Sequence, residues 1–182
     1  NQARHPNLYI PEPLACVDAV ISARFSNRMN PATINNNTVI VLKCDNIQGQ
    51  NCLRVNGTIE KDANGNINSD NNNLSNDEFV FTPTPDLTPN AWYKVVLKGD
   101  SITDYVGYKL DNKTTLLNLS ERFCANISYD RRIAIDGRII ISRTTDKDYC
   151  WNFQTRPNIT PCRAGCVECS PDPTWFRYRL EA

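Results

Sequence analysis

The chain has 182 residues, the size of one domain with at most a small appendage, and a chain of that length buries roughly 70% of its unfolded surface. This argues against a multidomain enzyme, and it means that the eight cysteines are not substitutes for a missing core. Lys+Arg 20 and Asp+Glu 20 cancel, which disfavours a nucleic-acid partner or a polybasic membrane-surface role, because both depend on a field of one sign.

Period-2 alternation dominates and no helical stripe of useful length occurs, so the pattern predicts an all-β domain. Residues 1–15 form an N-terminal arm. From Val17 to Phe25 the residues Val17, Ala19, Ile21, Ala23 and Phe25 fall on one face, with Asp18, Ser22 and Arg24 on the other, as in a half-buried strand. Thr38 to Cys44 is apolar on both faces, as a central strand of a sandwich requires. Asn56-Gly57 and Asn64-Gly65 lie between short extended runs and read as two-residue hairpin turns, which need positive φ angles. Phe79, Phe81, Tyr93, Val95 and Leu97 supply core positions. Asp136-Gly137, between two Ile-containing runs, marks another hairpin. Trp151 and Phe153 point inward from a last strand. After Thr155, Pro157, Pro161, Pro171 and Pro173 with three crowded cysteines break the strand pattern. Phe176, Tyr178 and Leu180 then alternate with Trp175, Arg177 and Arg179, a terminal strand that either returns to its own sandwich or reaches a neighbouring molecule. The expected organisation is the arm at 1–15, a sandwich at 16–157 with an insert near 114–145, and a Cys-rich tail at 158–182.

Asparagine is the most skewed residue, 23 of 182. Seven head an N-x-Ser/Thr triplet, Asn36, Asn56, Asn73, Asn112, Asn118, Asn126 and Asn158, where composition alone gives about three; the excess marks them as glycan acceptors, and the competing reading is that Asn and Thr are common in β-turns. Of the cysteines, Cys162, Cys166 and Cys169 have close, metal-like spacing, but a zinc site wants a fourth ligand and the single His5 lies at the far end of the chain. Disulfides are therefore favoured. Cys44 and Cys52 bracket a polar tip and can staple it; Cys124 with Cys150 fits the insert; Cys16 is left for the tail cluster. Disulfides and sequons together indicate an extracellular or cell-surface location. No apolar run reaches the roughly 18 residues of a membrane helix, so no membrane span is expected. The chain begins at Asn1 without Met or a signal-peptide pattern, which fits a processed chain or an excised piece.

The Asn-rich stretch from Asp62 to Asn76 places Asp62, Asn64, Asn66 and Asp70 in a spacing like the start of a calcium loop, since oxygens on alternate residues can wrap one cation. Ile67 stands where such a loop has glycine and Asn73 where it has a bidentate Glu, so a plain hairpin tip is the favoured reading, and no other cofactor is indicated.

Three stretches carry a family resemblance. Ile21-Ser22-Ala23-Arg24-Phe25-Ser26-Asn27-Arg28-Met29-Asn30-Pro31-Ala32-Thr33-Ile34 is the first. Phe79-Val80-Phe81-Thr82-Pro83, Leu87-Thr88-Pro89 through Tyr93-Lys94-Val95, and Ile102-Thr103-Asp104 through Gly107 and Leu110 form the second. Tyr149-Cys150-Trp151-Asn152-Phe153-Gln154-Thr155 is the third. In this order, over about residues 10–157, they resemble the bacterial Ig-like domain of S-layer and other cell-surface proteins. The resemblance implies an antiparallel Ig-like β-sandwich, from which the inserted hairpin near 114–145 and the Cys/Pro-rich C-terminal tail depart. Leu87, Pro89 and Tyr93 then have the spacing of a tyrosine corner, which makes Tyr93 structural. Asp104 and Gly107 become turn formers, and Met29 packs at the end of the first strand.

No nucleophile with a base is legible. Asp100, Asp104 and Asp111 fall close together and paired acids can do glycosidase work, but the resemblance makes Asp104 a turn former, so the reading is non-enzymatic. Two functions remain. One is a structural subunit of an S-layer, pilus-like filament or appendage, a homopolymer joined by donated strands. The other is a module of an adhesin that binds glycans or other surface proteins through aromatics such as Trp92, Tyr105 and Tyr108.

Overall fold

A computed structural model describes residues 14–25, 27–67, 76–110 and 148–157, together with the backbone of 128–132, 139–143 and 177–180. Its strands are β1 (Ile21–Phe25), β2 (Val39–Cys44), β3 (Cys52–Arg54), β4 (Gly57–Ile59), β5 (Glu78–Pro83), β6 (Trp92–Leu97), β7 (Ser128–Arg132), β8 (Ile139–Arg143), β9 (Tyr149–Gln154) and β10 (Arg177–Leu180). Among the described residues they form a four-stranded sheet, β10-β1-β5-β4, and a six-stranded sheet, β8-β7-β3-β2-β6-β9. This is the expected Ig-like sandwich. Most neighbours are antiparallel, but β1 with β10 and β3 with β7 pair in parallel.

The core lies between the sheets because one face of each strand is apolar. Ile21, Ala23 and Phe25 from β1 and Phe79 and Phe81 from β5 meet Val39 and Val41 of β2, Tyr93, Val95 and Leu97 of β6, and Trp151 and Phe153 of β9. Tyr93 and Phe153 are directly opposite in register and their rings stack with centroids 5.1 Å apart, an arrangement worth about 0.5–1.5 kcal/mol beyond burial. Central strand β2 is buried on both faces, as its unbroken apolar run predicts. Its second face forms another buried cluster, Ile40, Leu42, Cys44, Cys52, Val96 and Cys150.

The first strand is shorter than the alternation from Val17 implies. Ala19 N–H donates back to Cys16 O at 3.2 Å, a turn that delays the strand to Ile21. Asn30-Pro31-Ala32-Thr33 forms a 3-10 turn in which the Asn30 side chain accepts from Ala32 N–H and Pro31 opens the helix, the expected uses of Asn and Pro at a helix start.

Asn56-Gly57 is not a hairpin turn. β3 and β4, which flank it, belong to different sheets, and Gly57 is the first residue of β4, paired with Pro83. Glycine is needed there for space: a Cβ on Gly57 would stand 2.3 Å from Phe81 Cζ and 2.5 Å from Thr82 O. Asn64-Gly65 does form a turn, with Gly65 at φ 81 and its N–H donating to Asp62 O at 2.9 Å. β7 and β8 pair from Ser128↔Arg143 to Arg132↔Ile139, so the inserted hairpin exists; Asp136-Gly137 lies outside the described residues.

The expected boundary at residue 16 falls inside the fold. Ala15 is 1% exposed, bridges in parallel to Thr155, and exchanges bonds with Gln154 O and Arg156 N–H. The terminal strand returns to its own sandwich, β10 lying along β1 from Ser22↔Arg177 to Phe25↔Leu180.

Candidate functional site

Three regions bear on function: the loop after β6, the β1–β10 edge and the outward face of the six-stranded sheet. In the loop, Asp104 Oδ1 accepts from Val106 N–H at 3.0 Å and from Tyr108 N–H at 2.8 Å. Asp104 N–H donates to Tyr108 O, Gly107 N–H to Asp104 O, and Leu110 N–H to Ile102 O, with Gly107 at φ 98. The tip is tied to the start of the chain by Tyr105 N–H donating to Arg28 O, by the Met29↔Asp104 bridge, and by the Arg28 guanidinium 4.6 Å from the Tyr105 ring centroid. Asp104 and Gly107 therefore act as turn formers, and Met29 is buried beside them. On this rigid support Tyr105, Val106 and Tyr108 are 67%, 80% and 74% exposed. Trp92 does not join them. It opens β6 while the loop follows its end, about 17 Å further at strand rise, and it is half-buried between Cys44 and Gln154 in register.

The tyrosine corner is formed: Thr88 N–H donates to Tyr93 Oη at 2.7 Å, and burial pushes the Tyr93 hydroxyl above its ordinary range. Leu87 is buried and Pro89 lies in the same connection. Thr155, the last residue of the third family stretch, closes this corner by accepting from Ala91 N–H and donating to Thr88 O at 2.6 Å.

Cys44 and Cys52 form the expected disulfide, which joins β2 and β3 just beyond the Lys43↔Leu53 pair. Cys16 and Cys150 are disulfide-bonded as well; Cys124, Cys162, Cys166 and Cys169 lie outside the described residues. Of the sequons, Asn36 and Asn56 are exposed, and Asn36 Nδ2 donates to Gly57 O. Asn73, Asn112, Asn118, Asn126 and Asn158 lie outside the described residues.

The oxygens proposed for calcium are engaged in a turn. Asp62 Oδ1 accepts from the N–H groups of Asn64 and Asn66, and Oδ2 accepts from Asn66 Nδ2. The Asn66 side-chain bond, with those from the backbone, holds the Asp62 carboxyl below its ordinary value. Asn66 Oδ1 accepts in turn from Asn76 Nδ2, and Asn76, 1% exposed at φ 49, is the anchor that sequence reasoning missed. Asp70 lies outside the described residues, among which no cluster of three or more His, Cys, Asp or Glu is placed to hold a metal. Asp100 is exposed beside Lys109, and Asp111 lies outside the described residues.

On the outward face of the six-stranded sheet, Lys94 of β6 and Asn152 of β9 are directly opposite and only 1% and 3% exposed. Burial pushes the Lys94 ammonium down to about 8. Asn152 Nδ2 donates to Ile47 O at 3.4 Å while its Oδ1 is buried without a hydrogen-bond partner.

Among the described residues no helix is long and apolar enough to cross a membrane. A family model described as the bacterial Ig-like domain matches residues 14–124. The match begins where Ala15 enters the core and ends before the β7–β8 hairpin. No curated protein matches the chain.

Proposed function

Because the chain belongs to the bacterial Ig-like domain family, we propose that it is a non-enzymatic structural subunit of an extracellular cell-surface assembly, an S-layer, pilus-like filament or appendage, in which subunits are joined by strand addition. The observation that carries this reading is β10. A terminal strand completes the four-stranded sheet at its edge, in parallel register along β1, and 19 residues separate it from the last described residue after β9. Fully extended, such a connection spans about 65 Å. The same register is thus open to a strand from the neighbouring copy, as in other strand-donation assemblies. Disulfides at Cys16, Cys44, Cys52 and Cys150 and exposed sequons at Asn36 and Asn56 suit an oxidising, extracytoplasmic setting.

The test is deletion of residues 170–182, with deletion of 1–13 as the parallel arm, since Leu14 and Ala15 belong to the sandwich. Negative-stain microscopy should show polymer from the full chain and monomers from the strand-deleted form. Polymer that survives both deletions rejects strand donation.

A second reading, an adhesin module, is favoured by the Tyr105-Val106-Tyr108 tip, whose exposed rings are held by a hydrogen-bonded loop and suit a carbohydrate or protein partner. Glycan-array signal abolished by Tyr105→Ala and Tyr108→Ala supports it, and signal indifferent to both removes it.

A further inference from the structure

Three of the four exposed large hydrophobic side chains among the described residues, Tyr105, Val106 and Tyr108, stand on one turn, too open to water to serve the core. The turn holds them still. Leu110 N–H donates to Ile102 O and Asp104 N–H to Tyr108 O, both at 2.8 Å, and Thr103 bridges to Lys109. Residues 28–30 run antiparallel along the other side of 103–105: Asn30 N–H donates to Thr103 O at 3.0 Å and Tyr105 N–H to Arg28 O at 2.9 Å. This register brings the Arg28 guanidinium to 4.6 Å from the Tyr105 ring centroid. Arg28 is exposed and forms no ion pair among the described residues. The other charges of the turn are matched. Lys109 Nζ lies 3.4 Å from Asp100 Oδ1, and Asp104 Oδ1 accepts from two backbone N–H groups.

We propose that Arg28, Tyr105 and Tyr108 form a subsite for a sugar that carries a carboxylate, a uronic or sialic acid residue. The inference rests on the adhesin reading and names the ligand class. Size favours a sugar over a protein, because a stable protein interface takes about 800 Å² from each partner, far more than three side chains on a protruding turn present. Charge disfavours a bilayer, which recruits clusters of Lys and Arg, whereas the turn and the segment beside it carry one unmatched cation among the described residues. A pyranose has an apolar C–H face to lay on a tyrosine ring, and its hydroxyls can bond to the phenol. The guanidinium is planar, stays charged and offers a fork of donors that fits a carboxylate with two parallel hydrogen bonds. Contact with Tyr105 orders that fork before a ligand arrives, so less side-chain freedom is lost on binding. A neutral sugar gains nothing from the arginine, which makes Arg28 the specificity-determining residue.

The test is binding of the full chain to an array of uronic- and sialic-acid glycans, each printed beside the same glycan with its carboxylate reduced to an alcohol. The carboxylated member of a pair should bind roughly tenfold or more tightly than its reduced partner, the factor that hydrogen bonds to a charged group supply. Arg28→Gln should abolish that preference while leaving the weaker binding of the reduced glycan. Arg28→Lys, which keeps the charge without the fork, should recover only part of it. Tyr108→Ala should weaken both members alike. Equal binding of the two members by the wild-type chain, or a preference that survives Arg28→Gln, overturns the assignment and leaves the adhesin reading standing. Absence of any tyrosine-dependent glycan signal overturns both. A variant that does not fold loses both signals together, and the wild-type comparison of paired glycans then decides.

Discussion

Replacing Gly57 by alanine tests whether this glycine serves space rather than turn conformation. Its added Cβ would lie 2.3 Å from Phe81 Cζ, 2.7 Å from Phe81 Cε1 and 2.5 Å from the backbone oxygen of Thr82. Phe81 is 2% exposed and faces the other sheet, so its ring has no free direction in which to withdraw. Thr82 O belongs to the strand paired with β4. Relief therefore requires the two strands to separate or the ring to leave its rotamer, the overpacking case that costs about 1–3 kcal/mol; with backbone among the contacts, about 2–3 kcal/mol is expected. For a chain of this length that lowers Tm by about 4–12 °C. The assay is urea unfolding with an unchanged m-value, backed by a thermal scan. Gly65→Ala is the control, because at φ 81 nothing lies within 4 Å of its Cβ; it should cost about 1 kcal/mol from backbone strain alone. Asparagine, which tolerates that φ, should recover part of the loss at 65 and none at 57. A Gly57→Ala protein within about 0.5 kcal/mol of wild type, the range of an innocuous surface change, would refute the steric argument.

Three further outcomes follow from the same fold. Tyr93→Phe removes the acceptor of Thr88 N–H and should destabilise the domain by about 1–3 kcal/mol, read by the same urea titration. Replacing Cys44 and Cys52 together by serine opens a link with sequence separation 8, worth about 2–3 kcal/mol by loop entropy; a denaturation midpoint insensitive to the double change contradicts it. Burial holds the folded pKa of Lys94 at about 8, below the ordinary 10.5. The unfolded chain then binds more protons between those values, so the contribution of this group to stability rises with pH from about 8 to 10.5, by about 3 kcal/mol at most. Denaturation midpoints measured across that window check the sign, and a contribution that falls with pH there rejects it.

Much of the sandwich is written locally. Apolar alternation in Phe79, Phe81, Tyr93, Val95, Leu97, Trp151 and Phe153 places each on the inner face, because the side-chain period of a strand is two and a one-residue slip would turn the whole set to water. The spacing of Leu87, Pro89 and Tyr93 likewise announces the corner, since the hydroxyl reaches back only a few residues, and Cys44 with Cys52 reads as a staple because few residues intervene. What the sequence could not carry is anything decided by strands far apart in the chain. Asn56-Gly57 has the chemistry of a hairpin turn, yet β3 and β4 are claimed by different sheets, and the need for glycine comes from Phe81 across the ladder. The run from Arg177 to Leu180 is legible as a strand, but its parallel place beside β1 depends on an edge formed more than 150 positions earlier. Lys94 and Asn152 each look like ordinary polar residues in an alternating strand. Only the register of β6 against β9 sets them opposite one another, and only the burial of the sheet's second face pushes the Lys94 ammonium down to about 8.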